Sequence, residues 1–253
     1  MYRCTMPPPT GRSLEPAPTA GGGRDLAAIG ALVSDPARCR ILLALGDGLA
    51  LSASGLAAEA GVSPATASSH LRKLTDAGLL AVEIEGRRRN YRLAGPEVAA
   101  LIEAVERLAP AAPVRSLRQS QQVRSWREAR VCYDHVAGRL GVTIMHAMLE
   151  QRFLEPVDRA AGTSAAGVRY AATADGTAFL EELGVDLPPS RRPVRYHSDS
   201  TEEGPHLSGV LGRALLARFV DLGWVRRQKR QRLEITPDGV TGLDKALRVH
   251  LDQ

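Results

Sequence analysis

Apolar residues recur along this chain with two periods, and the switches between them mark its elements. Leu26, Ile29 and Val33 return at helical spacing. DPARCRILLAL over 35–45 follows, with an aspartate placed to cap and a proline at the first helical position. Gly46, Asp47 and Gly48 end that helix. GLAAEAGVSPATASSHLRKLTDAGLL over 55–80 predicts two short helices around the turn AGVS, with Ser63 as N-cap and Pro64 behind it. In the second helix Ala67, Leu71 and Leu74 fall at i, i+4 and i+7, a buried face. Thr66, Ser68, Ser69, Arg72 and Lys73 are left pointing outward or to the flanks. LLAVEIEGRRRNYRL over 79–93 changes to period two, with Val82 and Ile84, a Gly-Arg-rich turn, then Tyr91 and Leu93, and predicts a hairpin. Val98, Leu101, Ile102, Val105 and Leu108 form a further helical stripe before APAAP at 109–113, a candidate boundary.

The second half repeats itself. His135-Val-Ala-Gly-Arg-Leu-Gly and His206-Leu-Ser-Gly-Val-Leu-Gly share one pattern at an offset of 71 residues, and YAATADGTAFL (170–180) echoes LEITPDGVTGL (233–243). Each unit reads helix, hairpin, helix. DLPPSRRPVRYHSDSTEEGP (186–205) joins them and is too Pro-rich and polar to read as a regular element. Gly138, Gly141, Gly209 and Gly212 carry a helix cost of about 1 kcal/mol each against alanine, which the two repeat helices crossing at their glycines would offset.

Composition adjusts this picture modestly. Hydrophobic residues make up 44% and charged residues 24%, the balance of a globular protein, while aromatics at 4% leave the cores to Leu, Val and Ala. No apolar run reaches the roughly 18–20 residues of a bilayer span, and no basic-then-apolar export signal opens the chain, so a cytoplasmic protein without membrane contact is expected. Cys4, Cys39 and Cys132 are scattered, with neither paired metal spacing nor a disulfide framework. The net charge of +5 is a weak pointer to nucleic acid until its placement is considered. Arg87, Arg88, Arg89 and Arg92 crowd the first hairpin; Arg226, Arg227, Lys229, Arg230 and Arg232 crowd 221–232 against Asp221 alone.

Two helices about a tight turn followed by a basic hairpin make a winged helix-turn-helix. VS..T.S.HL..L..AGLL at 62–80, together with DPARCRILLAL, resembles the ArsR/SmtB family of bacterial repressors over about residues 25–110. The resemblance implies binding to double-stranded DNA as a homodimer on a palindromic operator. Contacts would come from Ser63, Thr66, Ser68, Ser69, His70, Arg72 and Lys73 on the recognition helix and from Arg87, Arg88, Arg89 and Tyr91 on the wing. Read alone, Arg87–Arg89 are also a solvated turn, and His70 a helix residue satisfied by local backbone. Leu26, Ile29, Val98, Leu101, Ile102 and Val105 resemble the family's dimer surface. The family's metal sites are absent here: SASGLAAEAG has no cysteine and EVAALIEAVERL no histidine, and Cys39 reads as a buried small hydrophobe. RVCYDHVAGRLG and PHLSGVLG resemble a long-form subgroup with an extra C-terminal domain, in which a second cysteine stands where this chain has His197.

The fold class expected is mainly α with small β-hairpin wings. A disordered tail is expected at 1–24, then a winged helix-turn-helix at 25–110, a linker or connecting helix at 111–130, and a duplicated, winged-helix-like helix-hairpin-helix domain at 131–253. Cys132 and His135, three apart, would share a helix face. With His197, Asp199 and His206 they make a thiol-imidazole set suited to zinc or another borderline metal, or to an unidentified effector, against the plainer role of packing and capping. A dimeric repressor is the reading these features favour. A constitutive or architectural DNA binder using both basic hairpins is the alternative. Catalysis by a Cys132–His135 pair is disfavoured, because neither a phosphate loop, paired carboxylates nor an oxyanion element accompanies it.

Overall fold

The computed structural model describes residues 25–86, 88–110, 113–157, 169–185 and 194–251, so the tail at 1–24 and Arg87 lie outside the described residues. The first five helices and three strands follow the expected order. α1 (Leu26–Val33) and α2 (Pro36–Ala44) are capped by Asp25 and Asp35, whose carboxylates accept from backbone amides of the first turn. β1 (Leu51–Ser52) leads into α3 (Ala53–Ala60), which ends on Gly61 in the left-handed region at φ 66°. α4 (Pro64–Asp76) is capped by Ser63 and buries Ala67, Leu71 and Leu74, the face its periodicity predicts. β2 (Leu80–Glu85) and β3 (Arg88–Leu93) pair antiparallel, with β1 on the other edge of β3, and α5 (Pro96–Leu108) follows. Ile41, Leu45, Leu56, Leu71, Leu74 and Leu93 are fully enclosed at the centre of this part.

Beyond it, α6 (Leu117–Glu128) leads to two successions of hairpin, helix, hairpin, helix. The first is β4 (Arg130–Cys132), β5 (His135–Ala137), α7 (Gly138–Glu150), β6 (Leu154–Val157), β7 (Arg169–Ala172) and α8 (Ala174–Leu183). The second is β8 (Arg195–Ser198), β9 (Pro205–Ser208), α9 (Gly209–Asp221), β10 (Val225–Arg227), β11 (Leu233–Ile235) and α10 (Pro237–Leu247). Thr173 and Thr236, of the repeated T-x-D-G, cap α8 and α10 through their hydroxyls. A second, separate core runs from Ala129 to Val249, with Phe219, Leu140, Met145 and Met148 completely buried.

Three expectations are corrected here. Cys132 and His135 do not share a helix face: they are the directly opposed cross-strand pair that closes the β4–β5 hairpin. A spacing of three is common to a helix face and to the two ends of a two-residue turn. Gly138, at φ +75°, stands in the left-handed region where the helix begins and prevents it from extending back over 130–137. Residues 195–198 and 205–208, within the segment read as irregular, pair as a hairpin that sets His197 opposite His206. The glycines do not mark a crossing of two helices. An added Cβ at Gly141 would meet Val136 O at 2.5 Å and His206 Cβ at 3.2 Å, and one at Gly212 would meet Leu207 O at 2.6 Å and His135 Cβ at 2.9 Å. Each helix thus lays its glycine against the strand that leads into it and against the histidine strand of the other succession.

Candidate DNA interface and histidine cluster

On α4 the N-terminal turn is exposed and small. Ser63 Oγ accepts from the Thr66 amide at 3.2 Å and lies 2.8 Å from Thr66 Oγ1, while Ser68 Oγ donates to Pro64 O at 2.9 Å. Those bonds keep the hydroxyls low on the helix, so its backbone can approach a groove closely. Arg72 and Lys73 are exposed farther along, Ser69 is half-buried, and Arg88 and Arg89 are exposed at the β2–β3 turn. Arg92 is paired with Glu83 across the wing, which removes one cation from its free charge. Tyr91 is half-buried and packs against the N-terminal core, on β3 opposite Val82. His70 is half-buried, and its Nδ1 has no hydrogen-bond partner among the described residues. Cys39 is half-buried, its thiol donating to the Val33 carbonyl.

The expected dimer residues are unevenly covered. Leu26 is 80% exposed and Val105 44%, while Ile29, Val98, Leu101 and Ile102 are half-buried and α1 buries none of its residues.

The second site lies where the β4–β5 and β8–β9 hairpins meet α5. His135 Nε2 is 2.9 Å from His197 Nε2 and 3.2 Å from His206 Nε2. Each ring turns its other nitrogen to a carboxylate: His135 Nδ1 to Asp134 Oδ1 at 3.1 Å, His197 Nδ1 to Glu103 Oε2 at 2.6 Å, His206 Nδ1 to Asp199 Oδ2 at 3.1 Å. The last lies off the line of a hydrogen bond, and His206 Nδ1 has no hydrogen-bond partner among the described residues. Carboxylates at Nδ1 of His135 and His197 favour the ring proton on that side and turn the Nε2 atoms toward one another. Cys132 Sγ completes the set; one donor atom from each of Cys132, His135, His197 and His206 lies within 4.8 Å of all the others. The Cys132 thiol donates to Glu103 Oε2 at 3.4 Å.

Burial governs the protonation of this cluster. It pushes the Cys132 thiol well above its ordinary value, and the Glu103 charge adds to that. Burial lowers His206 to about 4 despite Asp199 beside it, and it lowers His135 despite Asp134. For Glu103 burial acts upward, but the hydrogen bond and charge of His197, with His206 and Arg130, outweigh it and hold the carboxyl below its usual value. Asp199 behaves likewise and is held far lower, by His206, Arg130 and the amides of Thr201 and Gly138. It accepts from Gly138 N at 2.7 Å and Thr201 N at 2.8 Å, so it ties the hairpin to α7. Asp199, expected among the ligands, also groups with Glu103 and His206, one donor atom of each lying within 4.8 Å of the others.

A helix-turn-helix domain family model matches residues 33–83. The uncharacterized HTH-type transcriptional regulator YdfF of Bacillus subtilis is 38% identical over 232 residues, 90% of this chain and 99% of that protein. The HTH-type transcriptional regulator CmtR of Mycobacterium tuberculosis is 43% identical over 82 residues, 32% of this chain and 69% of that protein. The solution structure of the homodimeric winged helix-turn-helix DNA-binding domain of Mb0332 from Mycobacterium bovis, a possible ArsR-family regulator, is 30% identical. That match covers 35% of this chain and 88% of that one, with a TM-score of 0.31. The chain belongs to the HTH-type transcriptional regulators.

In this HTH-type regulator the cluster draws nothing from α3, and from α5 it draws a carboxylate, Glu103. Sequence reasoning gathered Cys132, His135, His197, Asp199 and His206 and missed two partners. Glu103 is 3% exposed, and the signal was its place four residues after the buried Ala99, on the inner face of α5. Arg130 is 2% exposed; its Nη2 donates to Asp199 Oδ1 at 3.0 Å, Ser200 Oγ at 2.9 Å and Glu103 Oε1 at 3.4 Å, and its guanidinium stacks 4.5 Å from the Trp126 ring. No local pattern announces a residue whose partners are 27 and 69 positions away.

Proposed function

We propose that this chain is a dimeric, sequence-specific repressor whose winged helix-turn-helix (25–110) reads a roughly palindromic operator. Its C-terminal part (131–253), joined through residues 111–130, would be an internally duplicated effector-sensing domain. The observation that carries this reading is the exposed, small-polar start of α4 beside the exposed Arg88 and Arg89, within a chain similar over nearly its whole length to a transcriptional regulator. Leu26 and Val105, apolar and largely in water, support a second copy packing on α1 and α5. Duplication is supported by the repeated element order and by the reciprocal seats of Gly141 and Gly212.

The second basic hairpin speaks against an architectural DNA binder. Its turn rests on the winged helix: Gln231 donates to Leu43 O, Arg227 Nη1 to Asp47 O at 3.4 Å, and Arg230 lies 3.7 Å from Glu59. No helix among the described residues is long and apolar enough to cross a membrane. DNA protection upstream of the protein's own gene tests the reading. It predicts a twofold-symmetric footprint with half-sites about one helical turn apart, lost in Leu101→Asp together with the dimer. Equal affinity for operator and random DNA, or a monodisperse monomer at micromolar concentration, would overturn it.

A further inference from the structure

Three imidazole Nε2 atoms converge, that of His135 lying 2.9 Å from His197 and 3.2 Å from His206, with a carboxylate on the Nδ1 side of each ring. A proton satisfies two nitrogens and leaves the third. A cation that accepts several nitrogen donors satisfies all three. We propose that Cys132 Sγ and the Nε2 atoms of His135, His197 and His206 form a four-coordinate site for a borderline divalent metal of the zinc class.

Distances and chemistry agree. Donors about 2.0–2.1 Å from zinc in a tetrahedron lie about 3.3–3.4 Å apart, close to the spacings of the Nε2 atoms. Imidazole and thiolate select zinc, cobalt or cadmium over magnesium and calcium, which take oxygen. Asp134, Glu103 and Asp199 behind the three rings supply the outer shell that fixes ring orientation in histidine metal sites. Both hairpins contribute, so the site exists only when they are docked on each other.

Binding is a balanced exchange. The Cys132 thiol gives its proton to solvent, its sulfur electron pair goes to the metal, and the thiol's hydrogen bond to Glu103 Oε2 is broken. Glu103 lies on α5, beside the residues proposed to form the dimer, so occupancy of the site changes what holds that helix. The regulatory half of this inference rests on the repressor reading: metal loading lowers operator affinity, by about 5–150-fold if the coupling is of ordinary size.

Full-length protein freed of metal by chelation and then titrated with Co²⁺ tests the site. Expected are about one equivalent per chain, a thiolate-to-cobalt charge-transfer band with intense tetrahedral d–d absorption, and release of about one proton. Cys132→Ser should remove the charge-transfer band. Asp134→Asn, half-buried at the hairpin tip and outside the ligand set, should weaken binding about 10–100-fold while leaving the fold intact. Absence of cobalt uptake, or a spectrum unchanged in Cys132→Ser, overturns the site. Operator binding by the chelated protein, with and without Zn²⁺, is measured on the same preparation. Operator binding without metal uptake defeats the site and spares the repressor reading; metal uptake with no operator binding in either form does the reverse. Uptake that leaves operator affinity unchanged overturns the coupling.

Discussion

Replacing Arg130 with methionine tests the network that joins α5 to the hairpins. The guanidinium is 2% exposed, and it bridges Asp199 and Glu103, themselves 3% exposed. Methionine keeps much of the stem and its contact with Trp126 but leaves two buried carboxylates without their cation. Removing one member of a buried ion pair costs about 3–5 kcal/mol, chiefly because the abandoned charge stays buried. The backbone amides of Thr201, Gly138 and Glu202 still hold Asp199, which favours the lower part of that range. In a chain of this size 1 kcal/mol moves Tm by roughly 2–4 °C, so a loss of about 3–4 kcal/mol lowers it by about 6–16 °C. Calorimetry on the full-length protein with chelator present reads this directly. Arg130→Lys retains the charge but not the fork that reaches Asp199 and Thr201 together, and should recover less than half. Adding Asp199→Asn to Arg130→Met should restore part of the stability by removing a stranded charge. A fall in Tm below about 2 °C for Arg130→Met would refute the assignment of Arg130 as the cation that keeps those carboxylates buried.

Gly212→Ala places a methyl 2.6 Å from Leu207 O and 2.9 Å from His135 Cβ and should destabilise by about 1–3 kcal/mol in urea unfolding. Gly30→Ala, where nothing lies within 4 Å, should be neutral or stabilising by up to about 1 kcal/mol, and equal effects at the two positions would refute the packing account. Glu106 is raised from 4.5 to about 7 by burial, with Glu103 and Asp199 adding to the rise and Arg130 opposing it. The unfolded chain therefore loses this proton first, and stability falls as pH rises from 4.5 through about 7. Glu106→Gln should be more stable than the parent above pH 7, by on the order of 1–3 kcal/mol, and the advantage should vanish below pH 4.5; a pH-independent difference contradicts it. Replacing Arg88 and Arg89 with alanine should weaken binding to all DNA sequences and flatten the salt dependence, by a slope change of about 1–2. A loss confined to the operator would show that the wing reads bases.

The winged helix was legible because each of its signals is local. Asp35 before Pro36, Ser63 before Pro64 and the spacing of Ala67, Leu71 and Leu74 each act within one turn of helix. Membership of the histidine cluster was legible through the 71-residue echo of His135 in His206, which put equivalent residues on equivalent elements before either was located. The elements themselves were misread. Strands of three or four residues are too short to show a period, and β4 and β5 are buried throughout, so polar and apolar positions do not alternate along them. The opposed pairing of Cys132 with His135 therefore looked like a helix face. Tyr91, which its place in the wing assigns to DNA, also packs on the core beneath.

The burial of Glu103 has a practical consequence for dissecting the protein. That carboxylate is out of water because of the side chains packed on α5 from elsewhere: Arg130, Cys132 and His197 all reach it. The amide of Tyr133, at the hairpin tip, also donates to Gly46 O at 2.5 Å, behind α2. A recombinant fragment stopping at residue 110 would give Glu103 back to solvent as a free anion and leave the Gly46 carbonyl unpaired. Operator sites selected with such a fragment would be chosen by a molecule whose α5 carries a different charge, so a binding motif for this regulator should be derived from the intact chain.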